Sequence, residues 1–436
     1  MGRFWLAFIT ISFSPCVFSQ MNPSPSGPVS SAERYQALET FAKALFYLES
    51  MYVDREQVKL PRMVDNALDG IFSNLDPHSV HLNKHAFDQL TSDTKGQIGG
   101  VGISIKVEHN KLIIFSVQEG KPAKKAGIKA GDEIVGVNDV SVAKAGMSVL
   151  DLMPGEVGSS LKLTIRRKDL EKPLEFTMTR EVIQVSSVIT ETLGHGLYYA
   201  HISSFQENTG QDLQNFLTES ASKGPIGGFV LDLRNNPGGL LEEAVKVANL
   251  FIESGLIVST VGRFKDKIER EFAHKQNTFS GFPLILLINE GSASASEIVA
   301  GALQDHQRAL IMGSPSFGKG SVQTLIALPD GSGIKLTVAT YYTPNDRSIQ
   351  AKGIQPDILL SRQANKQDLE MKKEANLKGH LLSEDLSDFA KKSTILSELS
   401  TWPSYLSEDY QVVTAFTYLK GWVLFKPKQN LNKSGI

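Results

Sequence analysis

The sequence predicts a multidomain α/β protein in which a compact β-rich module separates a helical N-terminal region from an alternating strand–helix core. Three observations predict it. Apolar residues recur at helical spacing between residues 32 and 90, short β-type runs divided by glycines fill about 96–180, and apolar strands alternate with helical stretches over about 183–360. With 436 residues, 41% of them hydrophobic and 21% charged, the chain can build two or three cores. Its 45 basic and 47 acidic residues nearly cancel, so bulk charge offers no footprint for nucleic acid or an anionic membrane surface.

The first twenty residues stand apart. Arg3, the apolar run 4–13 and then Val17, Phe18 and the small Ser19 pattern as a secretory signal cleaved before Gln20. The run is shorter than the roughly 20 apolar residues that span a bilayer, and no later segment is long enough, so no integral membrane span is expected in the mature chain. Pro15 sits just before Cys16, where a lipoprotein signal wants a small residue. Cys16 is the only cysteine, which leaves the mature chain without a thiol nucleophile, a disulfide or a cysteine metal ligand. Residues 20–31, rich in Pro, Ser and Gly, read as a flexible leader.

Leu38, Phe41, Leu45 and Leu48, followed by Val64, Leu68, Ile71 and Leu75, give two or three amphipathic helices within 32–95, one of them ended by Asp76 and Pro77. His78 and His81 follow. Two imidazoles without a carboxylate or thiol set are a weak metal signal, and no metal is expected. The module expected over 96–180 has strands near 102–107, 111–117, 133–137 and 161–166 and a helical patch at 122–126. Two patterns inside it carry information: Gly99, Gly100, Val101, Gly102 and Ile103 open a strand, and AGIKAGDEI at 126–134 leads into another. A glycine-rich turn before an exposed strand edge leaves N–H groups to gather an anion and lets an extended peptide add as a strand. These residues resemble a PDZ domain, with the glycine pattern as its carboxylate-binding loop and 126–134 as its second signature.

In the core, expected over 181–362, strands are predicted near 197–202, 228–233, 284–288 and 309–312 and helices near 211–222, 241–252 and 296–303. Polar residues at strand ends then become the candidates for chemistry. From residue 363 a helical region carrying Trp402, Tyr405, Tyr410, Phe416, Trp422 and Phe425 is expected to pack on the core or on a second subunit.

Residues 289–297, NEGSASASE, fall where a strand gives way to a helix, so free N–H groups and the positive helix end converge near Ser294. Ser294 and Glu297 also have the spacing of a capping box, and on this segment alone capping and catalysis both stand. Residues 313–323, GSPSFGKGSVQ, nearly spell a phosphate-binding loop, but Gly320 replaces the hydroxyl residue that would hold magnesium, and no nucleotide cofactor is expected. Taken together, the two segments resemble the C-terminal processing peptidases, in which GSASASE is followed 25 residues later by the lysine of FGKG and then by a glutamine. DLRNNPGG at 232–239, LDPHS at 75–79, GIQPD at 353–357 and LKGHL at 377–381 extend the resemblance over nearly the whole chain beyond the leader.

That resemblance implies a crotonase-like α/β protease core with an inserted PDZ-like domain, Ser294 as nucleophile, Lys319 as base and Gln323 as the group that holds the lysine. It also implies an oxyanion hole from Ala295 with Gly238 or Gly239, tail recognition at Gly99 to Ile103, and no cofactor. Protein substrates with accessible C-terminal tails, a homodimer through the helical ends and a bacterial periplasmic or other extracytoplasmic location follow from it. The chemistry is reasonable on its own terms: a serine hydroxyl needs a base, and a lysine serves only when burial keeps it neutral. Arg180, at the join between module and core, is the candidate relay between them, with an ordinary ion pair as its plainer role. Asp232 and Arg234 could equally be structural ion-pair residues. The rival functions are a catalytically inactive scaffold that presents protein tails to a partner protease, and a phosphate-binding enzyme.

Overall fold

The computed structural model describes residues 30–108, 111–168, 170–264, 267–360, 399 and 401–425. The expected signal, nearly all of the leader and the patch at 377–381 lie outside them. The chain divides into two compact units between Ile71 and Phe72. In the first, helix α1 (Ser31–Met51) begins with a capping box: Glu33 N–H donates to Ser30 Oγ at 3.2 Å and Ser30 N–H to Glu33 Oε2 at 2.8 Å. Helix α2 (Leu60–Phe72) follows and reaches the start of the second unit.

The second unit opens with strand β1 (Val80–Leu82), helix α3 (Lys84–Thr94) and strand β2 (Gln97–Gly100). The module comes next: β3 (Ile103–Glu108), β4 (Lys111–Val117), α4 (Pro122–Ala126), β5 (Glu133–Val137), β6 (Val140–Ser141), α5 (Val142–Ala145) with a 3₁₀ turn to Leu152, β7 (Ser160–Arg166) and β8 (Leu174–Thr179). Its sheet runs β3-β4-β5-β7-β8 with β6 on β5, and alternate residues of β7, Leu161, Leu163 and Ile165, fill the core with Leu112, Ile114 and Ile134. The GD pair of the second signature has a structural purpose. Buried Asp132 accepts Lys129 N–H at 2.9 Å and both Nε and Nη2 of Arg167 at 2.8 Å, pinning the turn into β5.

Gly99 and Gly100 do not open β3 as the sequence suggested. They belong to β2, which pairs antiparallel with β9 (Glu181–Gln184), and the chain turns at Gly102, φ +78°. The reason is a close approach: Gly155 N–H donates to Gly99 O at 3.0 Å, and a Cβ at residue 99 would lie 1.9 Å from the Gly155 oxygen.

After β10 (Val188–Gly194), the core alternates as expected: β11 (Leu197–Ile202), α6 (Thr209–Ser222), β12 (Gly228–Asp232), α7 (Leu241–Asn249), β13 (Gly255–Gly262), β14 (Ile268–Ala273), β15 (Leu284–Ile288), α8 (Ala295–Asp305), β16 (Leu310–Gly313), β17 (Ser321–Ala327), β18 (Gly333–Tyr342) and β19 (Ile358–Leu359). One sheet runs β10-β11-β12-β15-β16-β19, parallel except for β10. Leu217, Val247 and Val299 of α6, α7 and α8 pack with Phe229, Leu231 and Leu286 on one side of it. On the other side, Phe416 and Leu419 of α10 (Tyr410–Phe425), which follows the short α9 (Ser404–Ser407), pack with Val230, Ile285 and Leu287. Covered on both faces, β12 and β15 are buried at every position, which is why they read as unbroken apolar runs. Of the C-terminal aromatics, Trp402 and Phe416 pack on the core and meet edge-on at 4.6 Å, whereas Tyr405, Tyr410 and Trp422 are exposed. A second sheet was not foreseen. β18 pairs with β17 along one edge and with β1 and β13 along the other, and β14 closes on β13.

Candidate active site

Strand β15 leaves the buried sheet at Ile288 and enters α8 through the turn 289–294. Ser294 holds φ +56° and ψ −114°, a conformation that only glycine adopts freely. Such a strained strand-to-helix turn is how a serine hydroxyl is lifted clear of its own backbone. The strain is over-determined by neighbours. Ser292 Oγ donates to Leu233 O at 2.7 Å, Ala293 N–H to Asn236 O at 2.9 Å and Ser296 Oγ to the same oxygen at 2.9 Å, while Asn235 N–H donates to Asn289 Oδ1 at 2.8 Å. The DLRNNPGG segment is thus the cradle of the Ser294 turn.

The capping alternative is met by Glu297: Ser294 N–H donates to Glu297 Oε2 at 2.8 Å, the carboxylate half of a capping box, while Glu297 N–H donates to the Ser294 carbonyl at 2.8 Å. The fully buried Glu297 carboxylate also accepts Ser316 Oγ at 2.6 Å, Gly318 N–H at 2.7 Å and Lys319 N–H at 2.9 Å. Burial pushes the Glu297 pKa up, and these donors pull it back toward the anion. The N–H groups that a phosphate-binding loop would aim at a phosphate are spent here on a side-chain carboxylate.

Glu297 thereby joins the Ser294 turn to the lysine loop, and Tyr341 joins them again: its hydroxyl lies 3.1 Å from Ser294 O and against Lys319 O. Ser294, Lys319 and Gln323 line one cavity of about 1190 Å³, together with Ala295, Gly238 and Gly239. Lys319 is half-buried. Desolvation lowers its pKa below the ordinary lysine value, the ammonium of Lys335 adds to that, and Glu297 and Asp76 oppose it. Gln323 stands on β17 at a bulge, opposite Thr337 of β18, and donates Nε2 to Ser321 Oγ at 2.9 Å and to Thr337 Oγ1 at 3.2 Å.

Gly238, φ +108°, must be glycine, because a Cβ would lie 2.8 Å from Ser294 Cβ. Its N–H donates to Asn236 Oδ1 at 2.9 Å, whereas the N–H groups of Gly239 and Ala295 meet no acceptor among the described residues. Arg180 is buried and wholly engaged inside the module: Nε donates to Met153 O, Nη2 to Leu152 O, and Nη1 to Ser159 Oγ and Ser160 O, all at 2.8–3.0 Å. It has no carboxylate partner among the described residues. Asp232 and Arg234 do form an ion pair, extended to Asp409 at 2.8 Å, which ties the start of α10 to the sheet. Sequence reasoning assigned no role to Asn236, Asn289, Thr337 or Tyr341. A lone Asn, Thr or Tyr carries no spacing signal, and these act through partners distant in sequence.

With this geometry in place, the comparisons decide the family. Residues 196–360 match peptidase family S41 and residues 99–178 match the PDZ domain. The carboxy-terminal-processing protease of Bartonella bacilliformis is 36% identical over 438 residues, covering 98% of each chain. The chain is a carboxy-terminal processing protease of peptidase family S41. The carboxy-terminal processing protease CtpB of Bacillus subtilis is 31% identical, over 94% of this chain and 85% of its own. Among solved structures, the photosystem II D1 C-terminal processing protease superposes with a TM-score of 0.44 at 30% identity, over 76% of this chain and 94% of that one. The enzyme is a serine-type peptidase with a PDZ domain, and no helix among the described residues is long and apolar enough to cross a membrane.

Proposed function

We propose that this protease is an exported endopeptidase that holds substrate C-terminal tails in its PDZ domain and cuts peptide bonds with Ser294, Lys319 and Gln323. The observation that carries the reading is the strained, doubly tethered Ser294 turn facing a half-buried lysine across one cavity. Lys319, neutral, takes the Ser294 Oγ proton as the oxygen attacks the substrate carbonyl carbon. The new oxyanion is received by the N–H groups of Ala295 and Gly239, each such donor being worth roughly 2.7–4 kcal/mol in the transition state. Gly238 serves instead as the close-packing residue, since its own N–H is occupied. The C–N bond breaks as Lys319 returns the proton to the leaving amine, and water attacks the acyl-enzyme with Lys319 again as base.

Tail recognition is assigned to the turn at Val101 and Gly102 and the edge of β3 at Ile103, with Gly99 and Gly100 as the support behind them. Arg180 orders the 152–160 segment that rests on Gly99, so its link between module and core is indirect. The organisation proposed is 32–95 helical, 96–180 PDZ, 181–362 a crotonase-like protease core and 363–436 a C-terminal helical region. A homodimer is supported by exposed Tyr35, Leu38 and Phe46 on α1 and Trp422 on α10. Export rests on the predicted signal alone.

The test is proteolysis of casein by the mature chain beside Ser294→Ala and Lys319→Ala, across about pH 6–10. Cleavage lost in both variants, with tail-peptide binding kept, is the expected result, and the parent's rate rises with pH as Lys319 loses its proton. Undiminished cleavage by either variant removes the assignment.

A further inference from the structure

A glutamine can accept a hydrogen bond from a lysine amine only through Oε1, so its usefulness at this site depends on which way the amide faces. The hydrogen-bond network decides that. Asp76, just ahead of β1, accepts His78 N–H at 2.8 Å, Ser79 N–H at 3.0 Å and Ser79 Oγ at 2.6 Å. Burial alone would lift the Asp76 pKa, but these donors outweigh it and hold the carboxyl below its usual range. As an anion Asp76 only accepts, so Thr337 Oγ1, 3.1 Å from Asp76 Oδ1, spends its single proton there. The Thr337 oxygen is left as an acceptor toward Gln323, and only the NH₂ end of the amide satisfies it, at 3.2 Å. Oε1 then faces away from Thr337, without a hydrogen-bond partner among the described residues, on the residue that lines the cavity with Lys319.

We propose that Thr337, its hydroxyl turned by Asp76, is a positioning residue that fixes the Gln323 amide with its oxygen available to Lys319. This rests on the Ser–Lys reading above. The LDPHS segment thereby acquires a role in the site, 261 residues away from the strand it orients. The backbone backs the arrangement: Ser79 Oγ accepts Thr337 N–H at 3.0 Å, and Val80 pairs with Lys335 in the register of β1 on β18.

The experiment is a double-mutant cycle in the full mature enzyme on a labelled protein substrate. Thr337→Val keeps the shape and removes the hydroxyl, and it should lower kcat about tenfold, the worth of one hydrogen bond, at unchanged KM. Thr337→Ser should recover most of that loss, and in a Gln323→Ala background Thr337→Val should cost nothing further. Parent-like kcat in Thr337→Val, or the same fold-loss with Gln323 already removed, overturns the proposal. Thr337→Ala takes the place of the Val variant in the cycle if the latter does not fold. Ser294→Ala and Lys319→Ala run alongside: parent-like cleavage in either sinks the Ser–Lys reading itself, whereas their inactivity beside a fully active Thr337→Val sinks only the positioning role of Thr337.

Discussion

The two walls of the cleft are built on different principles. The Ser294 wall grows from β15 and α8, and every residue of β15 is buried, as are α8 residues from Ala295 to Leu303. The other wall carries Lys319 on the loop just ahead of β17 and Gln323 on the β17–β18 hairpin, where Leu325, Ile326 and Val338 are exposed. Close packing fixes the first wall throughout, whereas the hairpin reaches the same core only in part, through Tyr341 with Val322 packed against it. The difference teaches that packing alone does not align the proposed nucleophile and base. A few polar cross-links, chiefly Glu297 and Tyr341, staple one wall to the other.

Removing the main staple should produce the largest effect. Glu297→Ala strands the Ser294, Gly318 and Lys319 N–H groups and the Ser316 hydroxyl, at about 1–3 kcal/mol for each donor that water cannot reach. Misalignment of about 1 Å between reacting groups costs on the order of 100-fold in rate, so kcat should fall at least that far and the thermal midpoint should drop with it. Steady-state kinetics and a melting curve on one preparation check both. A parent-like kcat would mean that the walls are aligned by something other than this carboxylate.

The electrostatic side of the comparison lies on the hairpin. Lys335 on β18 lines the same cavity, and its ammonium helps hold the Lys319 pKa down; His78 near it is lowered first by burial and then by Lys319. The other charged groups facing Lys319 are Glu297 and Asp76, which act in the opposite sense. In the proposed mechanism Lys319 works only when neutral, so removing a neighbouring positive charge stabilises its inactive ammonium form and raises its pKa. Lys335→Met should therefore move the rising limb of the kcat/KM profile to higher pH and lower the rate severalfold at neutral pH, while Lys335→Arg leaves the limb in place. A limb unmoved in Lys335→Met would show that desolvation alone tunes the base.

Legibility in the sequence divides along the same line. β11, β15 and α4 were readable to the residue, since buried parallel strands are unbroken apolar runs and Gly127 at φ +88° ends α4 where a glycine should. The β13–β14 and β17–β18 hairpins were not, because their faces are partly exposed and strands such as Ile268–Ala273 mix charge with apolar residues. Ser294, Lys319 and Gln323 were singled out by motif spacing, and the fold brings the three to one cavity. Glu297 does cap the Ser294 N–H as its Ser-x-x-Glu spacing suggested, but that spacing reports only the local partner, and nothing in it reveals that Ser316, Gly318 and Lys319 return to the same carboxylate. Asn236 and Thr337 are invisible for the same reason: their partners, such as Ile202 and Asp76, are set by topology.

The second staple is the weaker one, and the smallest change belongs to it. Tyr341 is buried, which raises its phenol pKa well above the usual value, so the hydroxyl stays protonated and can donate across the working pH range. It has one proton for two carbonyls, Ser294 O and Lys319 O, and can satisfy only one at a time. Tyr341→Phe therefore removes about one net hydrogen bond, worth roughly 0.5–1.5 kcal/mol, while the ring keeps filling its place in the core. The expected loss in kcat is at most about tenfold, and it should grow when Glu297 is replaced as well, since each staple then lacks the other. Strict additivity of the two losses would show that Glu297 and Tyr341 act on the walls independently rather than sharing one alignment.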